Sequence, residues 1–256
     1  MSDKVEKLNQ NINRYIRPTT LPVAIYIAKD GELSPVKAKH PVKNLGYRVA
    51  LCQAVSLARR LGWTLVMERD DHACPVGRIV LGYDSAEKLL DGSIAYPGYT
   101  ETVEAGRLME KFNMLLPPRT VKELWIAPLD KAEFAPDVIL IYGNAAQIAR
   151  MVQGANYRSG KGVESRSFGR MACSSYIART LLEDECSLVV PSGGERVFAH
   201  AQDDEIIFSI PASKIEDVAF GIEAVHKQGL SRFPTPFYGL LVEPKFPKEY
   251  WELLSQ

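Results

Sequence analysis

Three cysteines are the residues of this chain whose types and positions most clearly suggest chemistry. Cys52 and Cys173 each fall near the start of an apparent helix, and Cys74 lies in a polar loop. Three thiolates that converge and leave one position open would suit an iron–sulfur cluster or another thiophilic metal centre. The sequence contains no CxxC pair and the spacing matches no standard ligand motif, so this hypothesis requires the fold to bring the cysteines together.

Thiol chemistry without a metal is a second interpretation of the same residues. A helix N-terminus lowers the pKa of a cysteine, and Arg48, one turn before Cys52, would add to this effect. Cys52 would then attack and Cys74 would resolve the disulfide. His72, close to Cys74, is a candidate acid–base group or metal ligand. The candidate catalytic residues are therefore Cys52, Cys74 and His72, and the candidate metal ligands are Cys52, Cys74 and Cys173.

A basic loop precedes the helix that carries Cys173. Residues 158–170 combine glycine and serine with four basic side chains. Glycines let backbone amides approach an anion, and the N-terminus of a helix attracts phosphate or carboxylate. The loop lacks the Walker frame, but it predicts binding of a small anionic molecule. The candidate ligand-binding residues are Arg48, Arg158, Lys161, Arg166 and Arg170.

Each of these features also has a structural interpretation. Cysteine is among the most frequently buried residue types, and Cys52 and Cys173 lie on helices where a small side chain packs easily. Cys186, at a join between a helix and a strand, is interpreted as packing. The basic loop could equally be a solvated surface segment, and His72 an ordinary exposed loop residue. The sequence leaves these alternatives open.

The composition predicts an ordinary globular protein and excludes some classes of partner. The chain has 256 residues, 46% apolar and 24% charged, enough for one large domain or two small ones. Lys plus Arg and Asp plus Glu both total 31, so we expect no nucleic-acid or membrane partner. The polar N-terminus and the lack of a long apolar run predict a cytoplasmic protein with reduced cysteines. A homo-oligomer is compatible with this composition.

The apolar periodicity alternates between helical and extended, which predicts an α/β fold with α+β as the alternative. The predicted helices cover residues 1–17, 47–61, 85–90, 102–116, 144–154, 170–182 and 213–218. The predicted strands cover residues 21–28, 63–68, 78–81, 121–127, 138–143, 206–209 and 238–242.

The order of these elements repeats along the chain. RMACSSYIARTLL, residues 170–182, resembles VALCQAVSLARRL, residues 49–61, and flanking strands and helices correspond in type, with residues 206–209 matching 79–82. We predict two similar α/β halves, 1–130 with the N-terminal helix and 131–256 with the C-terminal tail, in one compact unit around a central cleft. Internal duplication would explain the repeat, although alternating helices and strands also match by chance.

Several segments together resemble a known prokaryotic family. PVAI near the start, LCQAVSLARR around Cys52, ACPVGRIVLG from residue 73 and FGRMACSSYIAR around Cys173 are similar to the family catalogued as domain of unknown function 169. The resemblance covers nearly the whole chain. It implies a cytoplasmic bacterial or archaeal protein and supplies no catalytic residue.

These observations lead to one functional prediction and two alternatives. We predict a metal- or iron–sulfur-dependent redox or accessory protein in which three cysteines ligate and Arg48 and Arg170 hold a small anionic ligand. The first alternative is a non-catalytic module that binds a small acidic ligand. The second is a metal-free thiol redox protein. The sequence does not decide whether the protein is an enzyme.

Overall fold

One antiparallel sheet forms the centre of the computed structural model, which describes residues 2–35, 37–229 and 246–254. Within those residues the strands are β1 Val23–Ala28, β2 Leu65–Met67, β3 Glu123–Pro128, β4 Val138–Gly143, β5 Ser187–Val189 and β6 Ile206–Pro211. Their order is β2-β3-β1-β4-β6-β5, and every neighbouring pair is antiparallel. The prediction of a mixed α/β fold is confirmed, and the antiparallel pairing is the α+β form that the sequence left open.

The helices cover both faces of this sheet. They are α1 Asp3–Asn11, α2 Leu51–Leu61, α3 Pro75–Val80, α4 Glu87–Leu90, α5 Val103–Lys111, α6 Ala145–Ser159, α7 Thr180–Glu183, α8 Gly193–Ala199, α9 Ile215–Gln228 and α10 Lys248–Trp251. Short π-helical turns cover Ile12–Ile16, Pro41–Leu45 and Ser174–Arg179. None of the described helices has both the length and the apolar character needed to span a membrane.

Two hydrophobic cores lie on opposite faces of the sheet. Successive strand residues point to opposite faces, so Val23 and Ile25 join the core that contains α2, while Ala24 joins the core built from α1, α6 and α9. Because both faces are covered, β4 is buried along its whole length. This explains why the strand residues form continuous apolar runs rather than alternating with polar ones.

The central strands β1 and β4 join the two sides of the sheet. They pair over only three residues, Val23 with Leu140, Ala24 with Ile139 and Ile25 with Val138. On either side, β1 pairs with β3 and β4 pairs with β6 over six residues each. This order is compatible with two equivalent halves, and the internal duplication stays a prediction.

Several details of the predicted elements are wrong. Residues 78–81 do not form a strand, because Pro75 at a first helical position and Cys74 at the N-cap begin α3 there. Their proposed counterpart, residues 206–209, does lie in a strand, so this part of the repeat does not match. Gly154 does not end α6, which continues to Ser159. The predicted strand at 238–242 lies outside the described residues.

Gly154 is instead a contact between helices. A Cβ atom at Gly154 would lie 2.6 Å from Cγ1 of Ile222, and one at Gly221 would collide with the Gly154 carbonyl oxygen. The two glycines therefore allow α6 and α9 to approach closely. The left-handed residue that ends α6 is Gly160, with φ of 66°.

Candidate functional site

Cys52, Cys74 and Cys173 line one pocket. The pocket has a volume of about 170 Å³ and lies where the N-terminal ends of α2, α3 and α8 meet residues 170–176. Most of its other wall residues are apolar, among them Leu51, Val76, Met171, Ala172 and Phe198. The fold thus brings three thiols from distant segments of the chain to a single small site.

Backbone pairing places Cys74 beside Cys52. The Val49 N–H donates to the Asp71 carbonyl oxygen at 3.0 Å, and the Ala73 N–H donates to the Val49 carbonyl oxygen at 2.9 Å. This short parallel bridge holds the segment before Cys74 against the segment that enters α2. Cys52 is the second residue of α2, so both thiols face the same pocket.

Cys173 reaches the pocket from the other half of the chain. It directly precedes the π-helical turn Ser174–Arg179, in which every residue is buried. The Ser174 hydroxyl donates to the Met114 carbonyl oxygen at 2.9 Å and ties the start of this turn to the first half. The position of Cys173 is therefore fixed by buried packing and by a polar contact rather than by a mobile loop.

Burial keeps two of the thiols protonated at neutral pH. Desolvation, followed by the negative charges of Glu195 and Cys74, raises the pKa of Cys52 to about 12. Desolvation also raises the pKa of Cys173 well above its ordinary value, with Cys74 and Glu195 adding to the effect. The expectation that a helix N-terminus and Arg48 favour a Cys52 thiolate is wrong, because desolvation outweighs the helix and Arg48 is exposed to solvent.

Glu195 is a residue of this pocket that the sequence analysis missed. It lies on α8, is 2% exposed, and neither carboxylate oxygen has a hydrogen-bond partner among the described residues. The Tyr176 hydroxyl, also buried, lies close enough to lower the pKa of Glu195, yet the two groups form no well-aligned hydrogen bond. Burial dominates and raises the pKa of Glu195 to about 7.

One sequence signal was available for Glu195. Ser192 precedes Glu195 by three residues, and this S-x-x-E pattern is typical of a helix start. The Pro, Ser and Gly composition of residues 191–196 favours a turn, whereas Ser192 is the N-cap of α8. The pattern would have predicted the helix, but it would also have predicted that the Glu195 side chain bonds back to the cap. The structure instead leaves that carboxylate facing the pocket.

A buried ion pair lies near Glu195. Arg59, 2% exposed, donates to both carboxylate oxygens of Glu205, at 2.6 and 2.9 Å. The Arg59 guanidinium also stacks over the Tyr142 ring, 4.0 Å from its centroid. Its positive charge lowers the pKa of Glu195, but its hydrogen bonds are committed to Glu205.

The thiols share the pocket without forming a ready-made ligand set. Within the part of the chain that the structure describes, no three His, Cys, Asp or Glu side chains already stand in a geometry that could hold a metal ion. The donor types nevertheless fit a soft or borderline cation, since three thiols and an unpartnered carboxylate line the same pocket. Binding would require these side chains to rotate toward a common centre.

Arg170 lines the pocket but is already paired. Its guanidinium lies 2.9 Å from a carboxylate oxygen of Glu110, which is fully buried, and 4.7 Å from the centroid of the Tyr99 ring. Arg48 is exposed and forms no ion pair with another described residue. Neither arginine therefore offers a free, inward-facing positive charge to an anionic ligand in this pocket.

The other basic candidates lie away from the pocket of Cys52, Cys74 and Cys173. Arg158 and Lys161 line a second pocket of about 510 Å³, which contains Cys186 but none of the other three cysteines. Arg158 pairs with Asp217 at 2.6 Å, and Lys161 lies 4.0 Å from Glu185. Arg166 lies outside both pockets and pairs with Glu183 at 3.4 Å. Each basic side chain of the loop thus has a carboxylate partner.

His72 is a buried residue and does not line the cysteine pocket. It is 1% exposed, its ring lies 5.4 Å from that of Tyr83, and neither ring nitrogen has a hydrogen-bond partner among the described residues. Desolvation lowers the pKa of His72 to about 4, so the ring is neutral at pH 7. The alternative that His72 is an exposed loop residue is wrong, and its role as an acid–base group stays a prediction.

The geometry defines a mixed α/β protein with a thiol-lined pocket on the face of the sheet that α2 covers. The chain belongs to the family of domain of unknown function 169, described as an uncharacterised ArCR, which matches residues 11–221. It is also similar to an uncharacterised protein of Methanocaldococcus jannaschii, with 23% identity over 209 residues that cover 78% of this chain and 86% of that protein. No solved structure matches the chain significantly.

Proposed function

We propose that this protein is a metal-dependent redox or accessory protein whose pocket binds a thiophilic metal ion or an iron–sulfur cluster through Cys52, Cys74 and Cys173. The observation that carries the proposal is the convergence of these three cysteines, from separate segments, on one pocket. Thiolates suit zinc, cuprous copper and iron–sulfur centres. A purely structural role does not require three cysteines to line the same cavity.

The walls of the pocket support this assignment. Its apolar residues restrict water, which favours electrostatic binding of a cation and tunes the properties of any metal held there. The same desolvation disfavours free thiolates, as the raised pKa values of Cys52 and Cys173 indicate. A metal would therefore displace protons from these cysteines on binding, and its affinity would rise with pH.

One set of residues would hold the metal, and another would shield it from solvent. Cys52, Cys74 and Cys173 would hold the metal, which when bound would supply electron transfer or polarise a small ligand. Tyr99 and Phe198 line the pocket, are largely exposed, and would limit access from solvent. A cytoplasmic location would keep the thiols reduced. The basic residues support an anionic ligand less well, because those near either pocket are paired with carboxylates.

The proposal is tested on protein purified without oxygen. Metal content and acid-labile sulfide are measured, and a visible spectrum is recorded. The variants Cys52→Ser, Cys74→Ser and Cys173→Ser should each lose the metal. Cys186→Ser is the matched control, because Cys186 lies in the other pocket and should not affect metal content. Sulfide in proportion to iron identifies a cluster, and metal without sulfide identifies a single ion.

Two results would contradict the proposal. Wild-type protein that remains metal-free after anaerobic incubation with ferrous iron and sulfide, and separately with Zn²⁺, would show that the pocket binds none of these metals. A disulfide between Cys52 and Cys74 that forms and breaks reversibly in such protein would favour the thiol redox alternative. Metal that is retained by all three cysteine variants would place the metal elsewhere.

A further inference from the structure

Glu195 is a buried acid whose carboxylate accepts no well-aligned hydrogen bond from a described residue, although the Tyr176 hydroxyl lies close enough to lower its pKa. Its side chain is 2% exposed, and both oxygens lack a hydrogen bond to any described residue. A buried polar group normally finds such a partner, because an unpaired carboxylate is costly to remove from water. Glu195 therefore resembles a residue kept for a ligand rather than for the stability of the fold.

The positive side chains around Glu195 are committed to other groups. Arg59 donates to both oxygens of Glu205, at 2.6 and 2.9 Å. Arg170, which lines the same pocket, pairs with Glu110 at 2.9 Å. Arg196, the residue after Glu195, donates at 2.8 Å to the Gln202 carbonyl oxygen. The nearby cations Arg59 and Arg196 thus act on the Glu195 carboxylate only through their charge, and neither donates a hydrogen bond to it.

The unpaired carboxylate belongs to the same electrostatic cluster as the thiols. Glu195 lines the pocket together with Cys52, Cys74 and Cys173. The carboxylate and the three thiols therefore face one small cavity of about 170 Å³.

We propose that Glu195 is the fourth ligand of the metal and gives the site a preference for a single borderline divalent ion, such as Zn²⁺, over Cu⁺. This inference rests on the proposed function. Cuprous copper is soft and is satisfied by thiolates alone, whereas divalent zinc binds carboxylate oxygen together with sulfur in tetrahedral sites. Three thiolates and one carboxylate carry the same total charge as the four thiolates of common structural zinc sites.

Metal titrations of reduced, metal-free protein test this inference. Co²⁺ serves as the spectroscopic substitute for Zn²⁺, because its visible bands report coordination number and its charge-transfer absorbance reports thiolate ligation. Glu195→Gln should weaken Co²⁺ and Zn²⁺ binding by about 10- to 100-fold. A loss of this size is typical when a residue that only orients a metal ligand is removed. It should also alter the visible bands and leave Cu⁺ binding within about twofold of wild type. Glu101→Gln, an exposed acid two residues after Tyr99, is the matched control.

The outcomes separate this inference from the proposed function. Glu195→Gln protein that binds Co²⁺ with wild-type affinity and spectrum would overturn the role of Glu195 while leaving a three-cysteine site intact. Equal losses of Cu⁺ and Zn²⁺ binding in Glu195→Gln would also overturn it, because they would indicate general damage to the pocket. Wild-type protein that binds none of these metals would overturn both the inference and the proposed function. Circular dichroism of each variant verifies that it is folded.

Discussion

The buried carboxylate of Glu195 should make the metal-free protein less stable as the pH rises. Burial raises its pKa in the folded protein from an ordinary 4.5 to about 7. A raised pKa means that folding favours the protonated acid, so its stabilising effect is complete below pH 4.5 and is lost as the pH rises to about 7. The two pKa values differ by roughly 2.5, which corresponds to about 3 kcal/mol of unfolding free energy.

Glu195→Gln removes the charge and nearly preserves the shape, so it should cancel this loss. In urea unfolding of reduced, metal-free protein, the variant should gain about 3 kcal/mol relative to wild type between pH 4.5 and pH 8. Comparing the two proteins at each pH cancels the contributions of all other groups. Glu101→Gln, which is exposed, should show no pH-dependent difference. A constant difference between wild type and Glu195→Gln across this pH range would refute the assignment of Glu195 as a desolvated acid.

Three further predictions concern buried groups outside the pocket. Arg59→Met should cost up to roughly 3–5 kcal/mol of stability because it removes both Arg59 hydrogen bonds from the buried Glu205 carboxylate, which keeps only Arg60 at 3.7 Å and the Gln202 N–H at 2.8 Å. Arg59→Met/Glu205→Met should recover most of this loss in urea unfolding. Gly221→Ala should lower the thermal midpoint through at least about 2 kcal/mol of overpacking, whereas Gly162→Ala, with no atom near its added Cβ, should not. The pKa of His72 is lowered to about 4, so the protein should lose stability as the pH falls from 6.5 to 4, and His72→Phe should remove that dependence.

The strands were easier to predict than the short helices. The runs that became β1 and β4 are apolar along their whole length because both faces of the sheet are covered, and this signal is local. Residues 75–80 also contain apolar β-branched residues, but they form α3 because Pro75 and the Cys74 cap start a helix there. Gly154 was misinterpreted for a different reason. A glycine is needed at this position because α9, which is distant in the sequence, packs closely against it.

The candidate site could be predicted only in part for a similar reason. The three cysteines were recognisable by type, and the hypothesis that they converge came from Cys52 and Cys173 at predicted helix starts and Cys74 in a polar loop; all three line one pocket. The pairing of Arg170 with Glu110 and the isolation of Glu195 depend on tertiary contacts that leave no periodic pattern. Burial likewise reversed the expected pKa shift of Cys52, because desolvation depends on the whole surrounding fold.

The three-residue pairing of β1 with β4 has a consequence for how the pocket is assembled during synthesis. Cys52 and Cys74 leave the ribosome long before Cys173 and Glu195, whose segments follow β4 in the chain. Contacts between such distant residues form late, since a long loop must close first. A nascent chain that ends near residue 130 would present two exposed thiols and no enclosed cavity. Any metal that the proposed site binds would therefore enter after the fold is complete.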